Sequence, residues 1–118
     1  MLKFRPEIEV YVCKEPTDMR KAIDGLCELV QAHFDQQPQC GHVFVFLNHS
    51  RDKAKVLWWD KNGFILHYKR LEKHRFKAPL SATGRALPIT HTQLNGLLAG
   101  LDFMLMAQFS DIEYESIF

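Results

Sequence analysis

A chain of 118 residues, 47% of them apolar, can bury one core and reads as one domain. No stretch is long and apolar enough to span a bilayer, and Met1-Leu2-Lys3-Phe4-Arg5-Pro6 lacks the apolar run of a secretion signal, so the chain reads as cytoplasmic with no membrane partner. Three widely spaced cysteines (Cys13, Cys27, Cys40) fit reduced thiols better than a disulfide framework, and the formal charge of +1 hides an uneven distribution.

In chain order, Ile8 to Cys13 is a short β-type run that Pro16-Thr17-Asp18 breaks. Thr17 or Asp18 can cap a helix, because each side-chain oxygen can accept a free N–H of the first turn. Met19, Ala22, Ile23, Leu26, Val30 and Phe34 then recur at helical spacing as one apolar face. Gly25 inside that helix is expected to mark a close contact with the sheet. The helix should stop before Gln36-Gln37-Pro38.

His42 to Leu47 reads as a second strand, and Asn48-His49-Ser50-Arg51-Asp52-Lys53 as a polar turn. Ala54 to Trp59 and Phe64 to Leu71 read as a hairpin around Asn62-Gly63, two residues that tolerate positive φ. Neighbouring side chains of a strand point to opposite faces, so Trp58 and Trp59 cannot enter one core. Glu72 to Leu87 looks irregular, with Pro79, Ser81, Gly84 and Pro88 as breakers. Thr90-His91-Thr92-Gln93 has the form of a capping box, and Leu94, Leu97, Leu98 and Leu101 continue as a second amphipathic helix.

The expected class is α+β: a small antiparallel sheet of about four strands, in β-α-β-β-β-α order, packed against two amphipathic helices. Residues 1–103 form the domain. Residues 104–118 are an acidic and apolar tail, expected to be disordered or to dock on a partner.

The charge is concentrated. Arg51, Lys53, Lys55, Lys61, Lys69, Arg70, Lys73, Arg75 and Lys77 face only Asp52, Asp60 and Glu72 over the same stretch. From Leu101 to Phe118 there are four acids and no base. This suggests a polyanion-binding face, a tail that masks it, or both. It also fits a solvated hairpin whose lysines protect a sheet edge.

No catalytic motif stands out: no Walker loop, G-x-G-x-x-G, G-x-S-x-G or H-E-x-x-H. Asp18 and Asp24 fall on different faces of the expected helix. Cys40-Gly41-His42 is half of a zinc site without a second pair at finger-like spacing. Neither catalytic residues nor a metal or cofactor is expected. The basic and aromatic hairpin is the candidate site: cations can neutralise phosphates, and an exposed Trp can stack on a base. The candidate nucleic-acid contacts are Arg20, Lys21, Arg51, Lys53, Lys55, Trp59, Lys69, Arg70, Lys73 and Arg75. Arg20 and Lys21 work against the helix dipole unless an anion is bound; the plainer alternative is that they point to solvent or pair with Asp24.

Several blocks resemble one family in order and spacing. They are Thr17-Asp18-Met19-Arg20-Lys21, Asp24-Gly25-Leu26, Gly41-His42-Val43-Phe44-Val45-Phe46, Lys55-Val56-Leu57-Trp58-Trp59-Asp60, Lys69-Arg70-Leu71-Glu72, Phe76, and the late series Leu94, Leu97, Leu98, Gly100, Leu101, Asp102. The chain resembles, from about Val10 to Phe103, the TnpB accessory proteins of insertion sequences of the sixty-six type. It is too short to resemble the RNA-guided nucleases that share that name. The resemblance implies a non-catalytic accessory protein of transposition, encoded beside a separate, larger transposase. Where members often carry a larger turn of Gly and Arg residues, this chain has Asn48 to Lys53.

Two readings follow, with a cryptic nuclease a distant third because no acid cluster is visible. In one, the protein binds DNA at the element ends through the hairpin and assists the transposase. In the other, it is an adaptor that docks the transposase or a second accessory protein through an aromatic anchor, without touching DNA.

Overall fold

The computed structural model describes residues 2–78 and 86–102. In chain order the elements are β1 (Val10–Cys13), α1 (Ile23–His33), a single 3-10 turn (Pro38–Cys40), β2 (Val43–Leu47), β3 (Lys53–Asp60), β4 (Gly63–Arg70), β5 (Ala86–Ile89) and α2 (His91–Leu98). The strands form one mixed sheet in the order β4-β3-β2-β1-β5.

Alternation in β2 explains the layers. All five of its residues are buried, as expected of a central strand covered on both faces. Phe44 and Phe46 point into a cluster with Leu57 and with Leu26, Val30 and Phe34 of α1. Val43, Val45 and Leu47 point the other way, to Ala54, Val56, Phe76 and Leu94, Leu97 and Leu98 of α2. Each fully buried side chain contributes about 1.5–3 kcal/mol. Phe46→Ala would leave a cavity on the α1 side and cost about 3–5 kcal/mol.

The class is α+β, but the sheet differs from the expected antiparallel four strands. β1 and β2 run parallel, with Val10 beside Val43, while the other pairs are antiparallel. The physical reason is α1, which carries the chain back across the sheet between them. The fifth strand, Ala86–Ile89, was hidden by Pro88, which reads as a breaker. It is tolerated because β5 is an edge strand, with Pro88 beside Tyr11 of β1.

The first helix starts at Ile23, later than Thr17 or Asp18. The Asp18 carboxylate accepts from the Arg20 N–H at 2.9 Å, which closes a local turn that competes with helix. Thr17 is buried and gives its N–H to the Leu47 carbonyl. The nearest atoms that a Cβ at Gly25 would meet belong not to the sheet but to the aliphatic stem of Lys21, at 3.2 Å. The second helix begins as read: Thr90 Oγ1 accepts from the Gln93 N–H, and the Gln93 side chain accepts from the Thr90 N–H.

The hairpin loop is Lys61-Asn62, not Asn62-Gly63. Gly63 lies in β4, and Lys61 takes the left-handed backbone, φ 55°. That conformation costs a non-glycine residue roughly 1 kcal/mol. The register repays it: Trp59 faces Phe64, Trp58 faces Ile65 and Leu57 faces Leu66. A turn at Asn62-Gly63 would set Trp58 opposite His67 instead.

Candidate nucleic-acid interface

Trp58 and Trp59 lie on opposite faces, as strand alternation requires. Trp58 packs on the α2 side, edge-on to Phe4 with ring centroids 5.0 Å apart. Trp59 lies on the other face, edge-on to Phe64 at 5.0 Å. Both are half-buried, so neither stands free in solvent. Residues 2–8 cover Trp58 because Asn95 of α2 holds both backbone groups of Leu2 at 2.9 Å and His91 Nε2 donates to the Ile8 carbonyl at 2.6 Å. A groove of about 830 Å³ opens at this end, lined by Phe4, His42, both tryptophans, Lys3, Arg5 and Lys61 among others.

The opposite end of the sheet is built on Asn48. Its side-chain oxygen accepts from the N–H groups of Asp52 and Lys53 at 3.1 and 3.0 Å, and its amide donates to the Asp52 carboxylate at 2.6 Å. That amide, and then Lys53, hold the Asp52 carboxyl below the usual carboxylate range. The segment after β4 folds back on this turn. Leu71 N–H donates to the Asp52 carbonyl, Phe76 N–H to the Arg51 carbonyl, both at 2.7 Å, and the Arg75 guanidinium to the Ser50 carbonyl at 2.6 Å. Arg51 and His74 sit in left-handed backbone, φ 60° and 68°. Arg51, Lys53, Arg70, Lys73 and Arg75 therefore gather at one end, where the carboxylates among the described residues are Asp52 and Glu72.

Apart from Lys21, the candidate cations fall into three groups. Two have structural work. Lys55 Nζ donates to the carbonyls of Met19 and Lys21 at 2.9 and 2.7 Å and lies over the Tyr68 ring, and Lys69 Nζ donates to the Leu98 carbonyl at 2.7 Å. Three are paired with acids: Arg20 with Asp18 at 2.6 Å, Lys53 with Asp52 at 3.4 Å and Arg70 with Glu72 at 2.9 Å. The Arg20 guanidinium lowers the Asp18 carboxyl to about 2. Arg20 thus pairs with Asp18 rather than Asp24, and Lys21 stands beside Gly25. The third group is exposed. Among the described residues, no hydrogen bond or ion pair holds the Arg51 or Lys73 side chain, and Arg75 is exposed but gives one guanidinium N–H to the Ser50 carbonyl. About 20 Å of strand separates Trp59 from this end. The hairpin is therefore not one continuous basic and aromatic face.

The reading from sequence missed Asn48, which organises the turn, and His74, which shapes the fold-back. An Asn four residues before an Asp in a polar turn was the available signal.

Cys40 and His42 do not come together with further ligands. His42 Nδ1 accepts from the Glu9 N–H at 3.0 Å, and its own N–H donates to Cys40 Sγ. Among the described residues no three His, Cys, Asp or Glu side chains converge to hold a metal, and all three cysteines are free thiols. Tail residues 104–118 lie outside the described residues.

The described part is a small α+β domain with a cluster of cations at one end of its sheet and, at the other, a groove lined by both tryptophans together with Lys3, Arg5 and Lys61. Residues 8–108 match the IS66 Orf2 like protein family, and the chain belongs to that family. The family gives it an accessory role in insertion-sequence transposition and is not one of known enzymes. Two similar proteins come from Sinorhizobium fredii. Uncharacterized protein y4hO is 38% identical over 103 residues, covering 87% of this chain and 89% of that protein. Uncharacterized protein y4jC is 34% identical over 96 residues, covering 81% of each. No solved structure matches the chain.

Proposed function

We propose that this protein is a non-catalytic accessory factor of transposition that grips the DNA backbone through the basic end of its sheet. One observation supports the reading: the fold-back of Leu71–Phe76 onto the Asn48 turn brings Arg51, Lys73 and Arg75 to one end of the sheet, exposed, and among the described residues no carboxylate pairs with them. Such cations contact phosphates without reading sequence, and the address comes from the transposase. Lys55 and Lys69 leave the contact set because each ammonium is part-buried and already holds backbone carbonyls, whereas the exposed Arg75 guanidinium keeps further N–H groups beyond the one given to Ser50.

The test is fluorescence anisotropy with labelled element-end DNA and scrambled DNA over a salt series. Wild type binds, and affinity falls with salt by about 0.9 log unit per log unit of salt for each phosphate neutralised. R51A/K73A/R75A lowers that slope by about three phosphates' worth. Equal binding by wild type and triple variant overturns the reading.

The groove beside Trp58 and Trp59 favours a second reading, an adaptor for the transposase or a second accessory protein. It predicts co-purification that survives nuclease treatment and is lost in Trp59→Ala.

A further inference from the structure

The two sheet edges are unequal. β5 is four residues long and carries Pro88, features that blunt an edge. β4 is eight residues long, has no proline, and among the described residues pairs with β3 on one side only. Leu71 N–H donates to the Asp52 carbonyl, so odd-numbered residues of β4 aim their backbone groups at β3. The N–H and C=O groups of Phe64, Leu66 and Tyr68 consequently point outward, where the described residues supply no strand. The side chains of these residues share one face, and Tyr68 is 49% exposed. On the other face Ile65 is 39% exposed.

We propose that β4 pairs antiparallel with β4 of a second copy, about a twofold axis at Leu66, to give a continuous ten-stranded sheet. In this register Leu66 meets Leu66 of the partner subunit, Phe64 meets Tyr68, and Ile65 meets His67. The outward backbone groups of Phe64, Leu66 and Tyr68 are those that bond. The row of apolar and aromatic pairs is the kind that stabilises neighbouring strands. Other registers are worse. A slip by two residues one way sets Lys61 against Lys69. The same slip the other way sets His67 against His67 and Ile65 against Lys69. A slip by one residue flips the faces. In the chosen register the cations avoid one another: Lys69 falls opposite Gly63 and Arg70 opposite Asn62. Asp60 falls opposite Glu72, which Arg70 already holds. If the DNA reading above stands, the twofold also sends the two basic ends in opposite directions, so one dimer carries two DNA grips.

Sedimentation equilibrium of the full chain, without DNA, tests this. The expected result is a mass that doubles with rising concentration. L66K and L66E, each alone, place like charges on the axis and remain monomers; an equimolar mixture recovers the dimer mass. A wild-type monomer at every concentration overturns the proposal, as does a dimer that persists in both variants. Amide exchange on the wild type keeps the test open if a variant fails to fold. The Phe64, Leu66 and Tyr68 amides gain protection with concentration, and concentration-independent exchange overturns the pairing. Neither assay contains DNA, so failure here leaves the DNA reading standing, and loss of DNA binding leaves the dimer standing.

Discussion

The amine of Lys69, on the edge strand β4, lies 2.7 Å from the carbonyl oxygen of Leu98, the last residue of α2. A cation at a helix C-terminus meets the negative end of the dipole and satisfies a carbonyl that has no partner within the helix. Lys69→Met should lower stability by about 1 kcal/mol, read as a lower urea midpoint, and leave the salt slope of DNA binding unchanged. A changed slope would return Lys69 to the phosphate-binding set.

Lys55 holds two carbonyls, those of Met19 and Lys21, in the turn before α1. Lys55→Met leaves both without that donor. The expected loss is about 1–3 kcal/mol, with faster amide exchange in residues 19–26. Exchange that quickens evenly across the chain would show that Lys55 does not hold this turn in particular.

Arg51 separates stability from binding. Its left-handed backbone suits glycine, so Arg51→Gly should raise stability by up to about 1 kcal/mol. The same change removes a free cation and should weaken DNA binding. Thermal melts and anisotropy on one preparation read both effects. A variant both less stable and equally tight would contradict the placement of this side chain.

Two carboxylates set an acid limb. Asp18 is lowered to about 2 by the Arg20 guanidinium, and Asp52 is lowered chiefly by the Asn48 amide. A carboxyl whose pKa is depressed by folding contributes stability above its unfolded value, about 3.9, and loses it as pH falls toward the folded one. Urea midpoints should hold steady from pH 7 to about pH 5 on this account and drop below about pH 4. Asp18→Asn and Asp52→Asn should each flatten that drop; an unaltered limb in both would remove these pairs as its cause.

Local signals in the sequence were read well where the physics is local. The capping box at Thr90 and Gln93 needs only neighbours, and the opposite facing of Trp58 and Trp59 follows from strand geometry alone. The late start of α1 was missed because Asp18 serves Arg20, two residues on, rather than the first turn of the helix. The loop at Lys61-Asn62 went against turn propensity because cross-strand pairing of Trp58, Trp59 and Leu57 set the register. The candidate site was legible as a run of cations but not as a surface.

By itself, the sequence determined the class, the two amphipathic helices, the hairpin and the family, since each rests on periodicity, caps and motif blocks carried along the chain. The tertiary structure decided the parallel pairing of β1 with β2, the recruitment of β5 despite Pro88, and which cations remain free. The last point turns on distance in sequence. Lys55 and Lys69 meet carbonyls 36 and 29 residues away, while Arg75 reaches the Ser50 carbonyl because the chain folds back over 25 residues. A lysine that completes a distant turn and one that stays exposed have the same local sequence; only the packed chain brings a carbonyl to one and leaves the other in water.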